Sequence, residues 1–293
     1  GAFDNSHGKV SSERQLTVKT AQLSNTQGSL SSAEDLTLDS QAAVDNQGGS
    51  LVTDGALKLA STRLDNSHNG TISAKGAVTV NTGMFDNSQS GQLNSASTLD
   101  LQATLVNNGD RGRIGSEDAL TASVTGLDQQ GGQLFSKTSL SLDMNNGQLN
   151  NQNGFINAPG ALLLKQLNGV NNQGGEISSK QAFTLTAQSL DNSNGKLVTA
   201  ANLSLNGGNL DNQRGQVTAG GVLDINAAQL DNAKGTVAAA QTLTVRANSL
   251  LDQGGMVAYR LHDVDGDQAA AAREVGRGAD FAVERHGGGQ VGG

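Results

Sequence analysis

Residues able to do chemistry are few in this chain and widely spaced: four His, no Cys and 27 acidic side chains among 293 residues. His7 and His68 hold the same place in two copies of one recurring phrase, but they lie three repeat lengths apart. If each repeat advances by one strand spacing, that is roughly 14 Å, too far to share a proton or a metal. Asp4, Asp45, Asp65, Asp86, Asp128, Asp191, Asp211 and Asp231 recur at one position of the phrase. They read as caps of a bend, at the cost of stacking like charges that exposure and salt screen. Carboxylates grouped with Arg, Lys or a cation on one exposed strand face would mark a polysaccharide lyase or hydrolase. Here acids and bases are dispersed, and no nucleophile motif accompanies them.

One cation pattern lies near the end of the chain. Asp263, Asp265, Asp267 and Glu274 match positions 1, 3, 5 and 12 of a calcium loop, with Gln268 where that loop needs Gly. A solvated acidic turn is the simpler reading, and a calcium site is the alternative.

The elements carrying these residues follow from a repeat of 20 to 22 residues, approximately Leu-Asp-Asn-x-x-Gly-x-Leu-x-Ser-x-x-x-Leu-Thr-Leu. Its apolar openers run Phe3, Leu23, Val44, Leu64, Phe85, Leu105, Leu127, Leu149, Val170, Leu190, Leu210, Leu230 and Leu250. A period of this length marks a solenoid, in which each unit buries its apolar edge against its neighbours. Spacing of two in Leu16/Val18, Leu36/Leu38, Leu57/Leu59 and their later counterparts places both residues on one strand face. After each Gly comes a second strand with a large and then a small inward residue, as in Leu30/Ser32 and Ile72/Ala74. Room remains for about three short strands per turn. The predicted fold is therefore all-β: a parallel β-helix, right-handed by the rule for parallel crossovers. About twelve coils at ~4.8 Å give a rod of roughly 55 to 60 Å.

The polar letters belong to the bends. Asn stands at the third position in most copies (Asn5, Asn25, Asn46, Asn66, Asn87, Asn107, Asn151, Asn172, Asn192, Asn212, Asn232), with Gln129 and Asp252 as exceptions. Stacked amides of this kind can bond from coil to coil, and Asn tolerates a left-handed backbone. The following Gly, as in Gly8, Gly28 and Gly195, is expected to supply a positive φ at the corner.

The phrases beginning at Leu64, Leu190 and Leu210 resemble filamentous haemagglutinin repeats. Such repeats form the stalks of two-partner secretion exoproteins, among them large adhesins and contact-dependent growth inhibition effectors. The resemblance spans residues 3 to 256 and implies a rod displayed outside a Gram-negative cell. It also implies two partners, an outer-membrane two-partner secretion transporter and a host or bacterial cell-surface receptor. With the repeat already running at residue 3, the chain reads as a segment of a longer protein. No apolar stretch is long enough to span a membrane. The charge of −8 and pI near 4.9 argue against nucleic acid as a partner.

Two parts are expected: a rod over residues 1–256, and a tail over residues 257–293 serving as cap or linker. A partner contact is sought on coils seven and eight, where Phe135 and Phe155 point outward on one strand of adjacent coils, near the outward Leu163. The expected function is a structural and binding stalk without catalysis or cofactor; a β-helical polysaccharide enzyme is the alternative.

Overall fold

The computed structural model describes residues 1–262, 268–272 and 281–283. Among them there is no helix; strands stack into one sheet of twenty and another of fourteen. Each strand pairs in parallel with its counterpart one coil later, as in Phe3↔Leu23, Val10↔Leu30 and Leu16↔Leu36. The smaller sheet carries thirteen parallel rungs from Lys9–Ser12 to Met256–His262, so the rod is about 58 Å long at one strand spacing per rung.

The core is the set of inward aliphatic columns. Leu36, Leu57, Leu93, Leu142, Leu197 and Val237 are all but inaccessible, and each gains about 1.5 to 3 kcal/mol by leaving water. The terminal coil has a neighbour on one side only, so Leu16 and Val10 are merely half-buried.

Three expectations need correction. Three short strands per coil hold only up to Gly126–Asp128; from Leu140–Asn150 onward two of them merge into strands of nine to eleven residues. In the early coils a hydroxyl at the corner bonds a carbonyl just ahead and bends the chain, as Thr20 Oγ1 does to Gln22 O at 2.9 Å and Ser40 Oγ to Ala43 O at 3.2 Å. Ala187, Ala227 and Ala247 occupy that inward corner later on. The hydroxyl is not what alone makes the bend, since Ala103 and Val124 fill the same corner in coils whose strands stay separate.

The opener of the sixth coil is Val106, not Leu105. Val106 is 3% exposed and in register with Phe85 and Leu127, whereas Leu105 is 49% exposed. The neighbouring intervals are then both 21 residues, and Asn107 falls at the Asp position of the phrase. The third correction concerns the bend glycines and is taken up below.

Parallel pairing loosens at one place. Leu162–Asn171 joins Phe183–Asp191 only through Gly169–Asn171 with Ser189–Asp191, although the coils on either side also pair along their upstream halves. Phe183 is the one ring in an inward column otherwise filled by Leu and Val at Leu140, Leu162, Leu203 and Leu223. This inward ring coincides with the place where the pairing is lost, although its own strand pairs regularly with Leu203–Asn206. At the far end the chain reverses direction. Gln268–Ala272 pairs antiparallel with Ala258–His262, where a fourteenth coil would stack, and Phe281–Val283 pairs antiparallel with Leu243–Val245, where the thirteenth coil would complete the larger sheet.

Candidate functional site

The bends hold a continuous polar column. Asn5, Asn25, Asn46, Asn66, Asn87 and Asn108 are buried, and each donates Nδ2–H to the side-chain oxygen one coil ahead at 2.7–2.8 Å. Asn151, Asn172, Asn192, Asn212 and Asn232 do the same. The same Nδ2 also reaches a carbonyl of the next coil, such as Ser50 O from Asn25 at 3.1 Å. Asn108, rather than the expected Asn107, is the member in the sixth coil.

The ladder breaks once. Gln129 accepts from Asn108, but its longer side chain sends Nε2–H to Phe155 O at 3.0 Å and passes over Asn151. Asn151 Oδ1 is left buried without a partner.

The glycine after each ladder residue is not there for its dihedral. Positive φ falls one residue earlier, on His7, Gln27, Gly48, Asn153, Asn194, Arg214 and Lys234, and none of the ladder amides adopts it. What the glycine supplies is space. A Cβ on Gly195 would lie 2.1 Å from Asn172 O and 2.7 Å from Asn192 Oδ1, and Gly28, Gly49, Gly175, Gly215 and Gly235 meet the same crowding.

The Asp column caps the bends as expected. Oδ1 of Asp4, Asp45, Asp65, Asp86, Asp128, Asp191, Asp211 and Asp231 accepts the backbone N–H two residues on, at 2.9–3.1 Å. Asn107, Asn150 and Asn171 replace Asp with the same bond. The hydrogen bonds from Ser6 to Asp4, side chain first and backbone second, hold that carboxyl below its usual range; His7 adds a smaller effect in the same direction.

One arrangement superficially resembles hydrolytic machinery and escaped the sequence reading. Ser67 Oγ donates to Asp65 Oδ1 at 2.7 Å and lies 2.8 Å from His68 Nδ1. The order is wrong for nucleophilic catalysis, in which His must take the serine proton and Asp must orient His. Here Asp holds the serine proton and Ser67 is buried. The signal was the contiguous Asp-Asn-Ser-His, and it encodes a capped turn.

Asp263, Asp265, Asp267 and Glu274 lie outside the described residues, and among those described no three metal-ligating side chains gather. Phe135 pairs with Asn157 and Phe155 with Gln133, so the two rings are diagonal neighbours on the smaller sheet, both half-buried. Phe135 lies over Gly115 of the preceding coil, with the Arg113 guanidinium 4.5 Å from its ring centre. Leu163 projects from the other sheet, 49% exposed, at the lip of the loosened pairing.

A concavity of about 850 Å³ runs along the outside of the larger sheet. Its floor follows one outward column, Arg63, Met84, Leu105, Gly126, Gln148 and Gly169, through successive coils. Asp86, Asp128, Asp191 and Asp211 stand beside it.

A repeating chain with one amide ladder, one capping column and a continuous aliphatic interior defines a β-helical stalk. The haemagglutinin repeat model matches residues 1–61, 41–153, 136–247 and 223–280, and the chain belongs to that family. No curated protein and no solved structure matches it.

Proposed function

We propose that the chain is a stalk segment of a secreted bacterial exoprotein displayed on the surface of a Gram-negative cell. It holds a receptor-binding or toxin-bearing part away from that surface and so serves adhesion or contact-dependent growth inhibition. Export through an outer-membrane two-partner secretion transporter fits a chain without Cys, which can be threaded unfolded and form its coils outside. The supporting observation is the pairing of every coil with the next over thirteen rungs, an arrangement whose useful property is length. Membership of a repeat family built for structure and adhesion agrees with this.

A spacer's reach should scale with its coil number. Removing residues 192–211 deletes one coil and joins Asp191 to Asn212 in register. Spin labels on Ser31→Cys and Thr218→Cys should then approach by one rung, about 5 Å. An unchanged distance, or collapse of the fold, would refute the spacer. Co-expression with a two-partner transporter should leave the chain open to protease on intact cells; retention inside the cell would exclude surface display.

A further inference from the structure

We propose that the groove along the larger sheet binds an extended polypeptide segment carrying Arg or Lys between apolar residues. This inference does not depend on the spacer reading. Three features of the groove define its occupant.

The first is shape. The floor column from Arg63 through Met84, Leu105, Gly126, Gln148, Gly169 and Ser189 to Asn209 crosses eight coils, about 34 Å at the strand spacing. A trough so long and open suits an extended chain laid along the rod axis and not a compact small molecule.

The second is an apolar floor. Met84 and Leu105, on adjacent coils, are 53% and 49% exposed, and Leu105 leans over Gly126. Few large apolar side chains are exposed among the described residues, and two of them meet here. Such a patch in an otherwise polar surface marks a contact.

The third is charge. The wall carries Asp86 and Asp128, two coils apart, about 10 Å. In each of them Oδ1 is occupied by the capping bond. Both residues line the groove, where Arg63, at one end, is the cation among the lining residues. Arg63 is itself 3.8 Å from Asp65. An acidic wall beside an apolar floor complements bases that alternate with aliphatics. It disfavours a second copy of this chain, whose net charge is −8, and sulfated or uronic glycans.

The probe is a fluorescein-labelled decapeptide alternating Leu and Arg, followed by anisotropy at low and high salt. The expected result is saturable binding that weakens with salt, and none by the Leu/Glu counterpart. Asp86→Asn/Asp128→Asn keeps each capping acceptor and should weaken binding about tenfold, as should Leu105→Ser. Asp54→Asn/Glu117→Gln makes the same charge change in the bends that follow strands of the other sheet and should leave affinity within about twofold. Equal weakening by both double variants would reduce the effect to general acidity and overturn the proposal. Absence of binding, or displacement of the peptide by a neutral hexasaccharide, would overturn it too.

Discussion

Replacing Gln129 by Asn should stabilise the rod although it makes the side chain smaller. In the present chain Asn151 Oδ1 is buried and unbonded, a state that costs about 1 to 3 kcal/mol. Asn at position 129 would keep the bond from Asn108 and offer Nδ2–H to both Asn151 Oδ1 and Phe155 O, as Asn151 does to Asn172 Oδ1 at 2.7 Å and Glu176 O at 3.2 Å. Against this stands the loss of one buried methylene, about 0.8 kcal/mol. The expected net gain is about 1 kcal/mol. Coils can open locally, so the readout is native-state amide exchange across residues 129–154 together with the urea midpoint. Protection there should rise, whereas Gln129→Ala, which orphans the Asn108 donor as well, should lower it. A Gln129→Asn variant with faster exchange would show that the unpaired oxygen is not the weak point and that ladder continuity does not govern these coils.

Space rather than dihedral angle should rank the glycine substitutions. Gly195→Ala, with its Cβ 2.1 Å from Asn172 O, should lower the thermal midpoint more than Gly131→Ala, where φ is +71° and the space is open; the latter costs about 1–2 kcal/mol, and the reverse ranking would refute the crowding argument. Asp4 should titrate below an ordinary aspartate by carboxyl NMR, and Ser6→Ala should move it upward. The sign is that of a depressed acid: the stabilising contribution of this turn is complete above the unfolded pKa and fades as pH falls through the folded one. Exchange at the first turn that accelerated with rising pH beyond the intrinsic rate would contradict this. The amides of Leu162–Lys165 and Phe183–Thr186 should exchange faster than those of Leu203–Asn206, which pair on both sides. Phe183→Leu should slow them, and an unaltered rate would remove the ring as the cause of the loosening.

Period and parity made the architecture readable from sequence, because a strand's inward residues recur at two and a coil's at about twenty-one. The errors arose where several residues compete for one place. Leu105-Val106-Asn107-Asn108 offers two apolar openers and two amides; only burial of Val106 and the bond from Asn87 to Asn108 select the frame. The glycine column is legible but its cause is not, since the tightest contact comes from the Asn carbonyl one coil back, about twenty residues away in sequence. The groove was hidden for a related reason. Met84 and Leu105 are 21 residues apart and become neighbours only after stacking, and the aromatic rings that attracted attention lie on another sheet. The misleading Asp-Ser-His contact could be found from sequence, but its order of bonding could not.

The ladder has a direction. All its amides point their N–H groups toward later coils, so their dipoles, each comparable to a peptide group's, add along the column as they do in a helix. The column thus ends with a partial positive charge at its far terminus. The residue there, which accepts the last bond from Asn232 at 2.7 Å, is Asp252: a carboxylate where interior rungs carry an amide, and the one substitution that such an electrical polarity would favour at that end and penalise at every other.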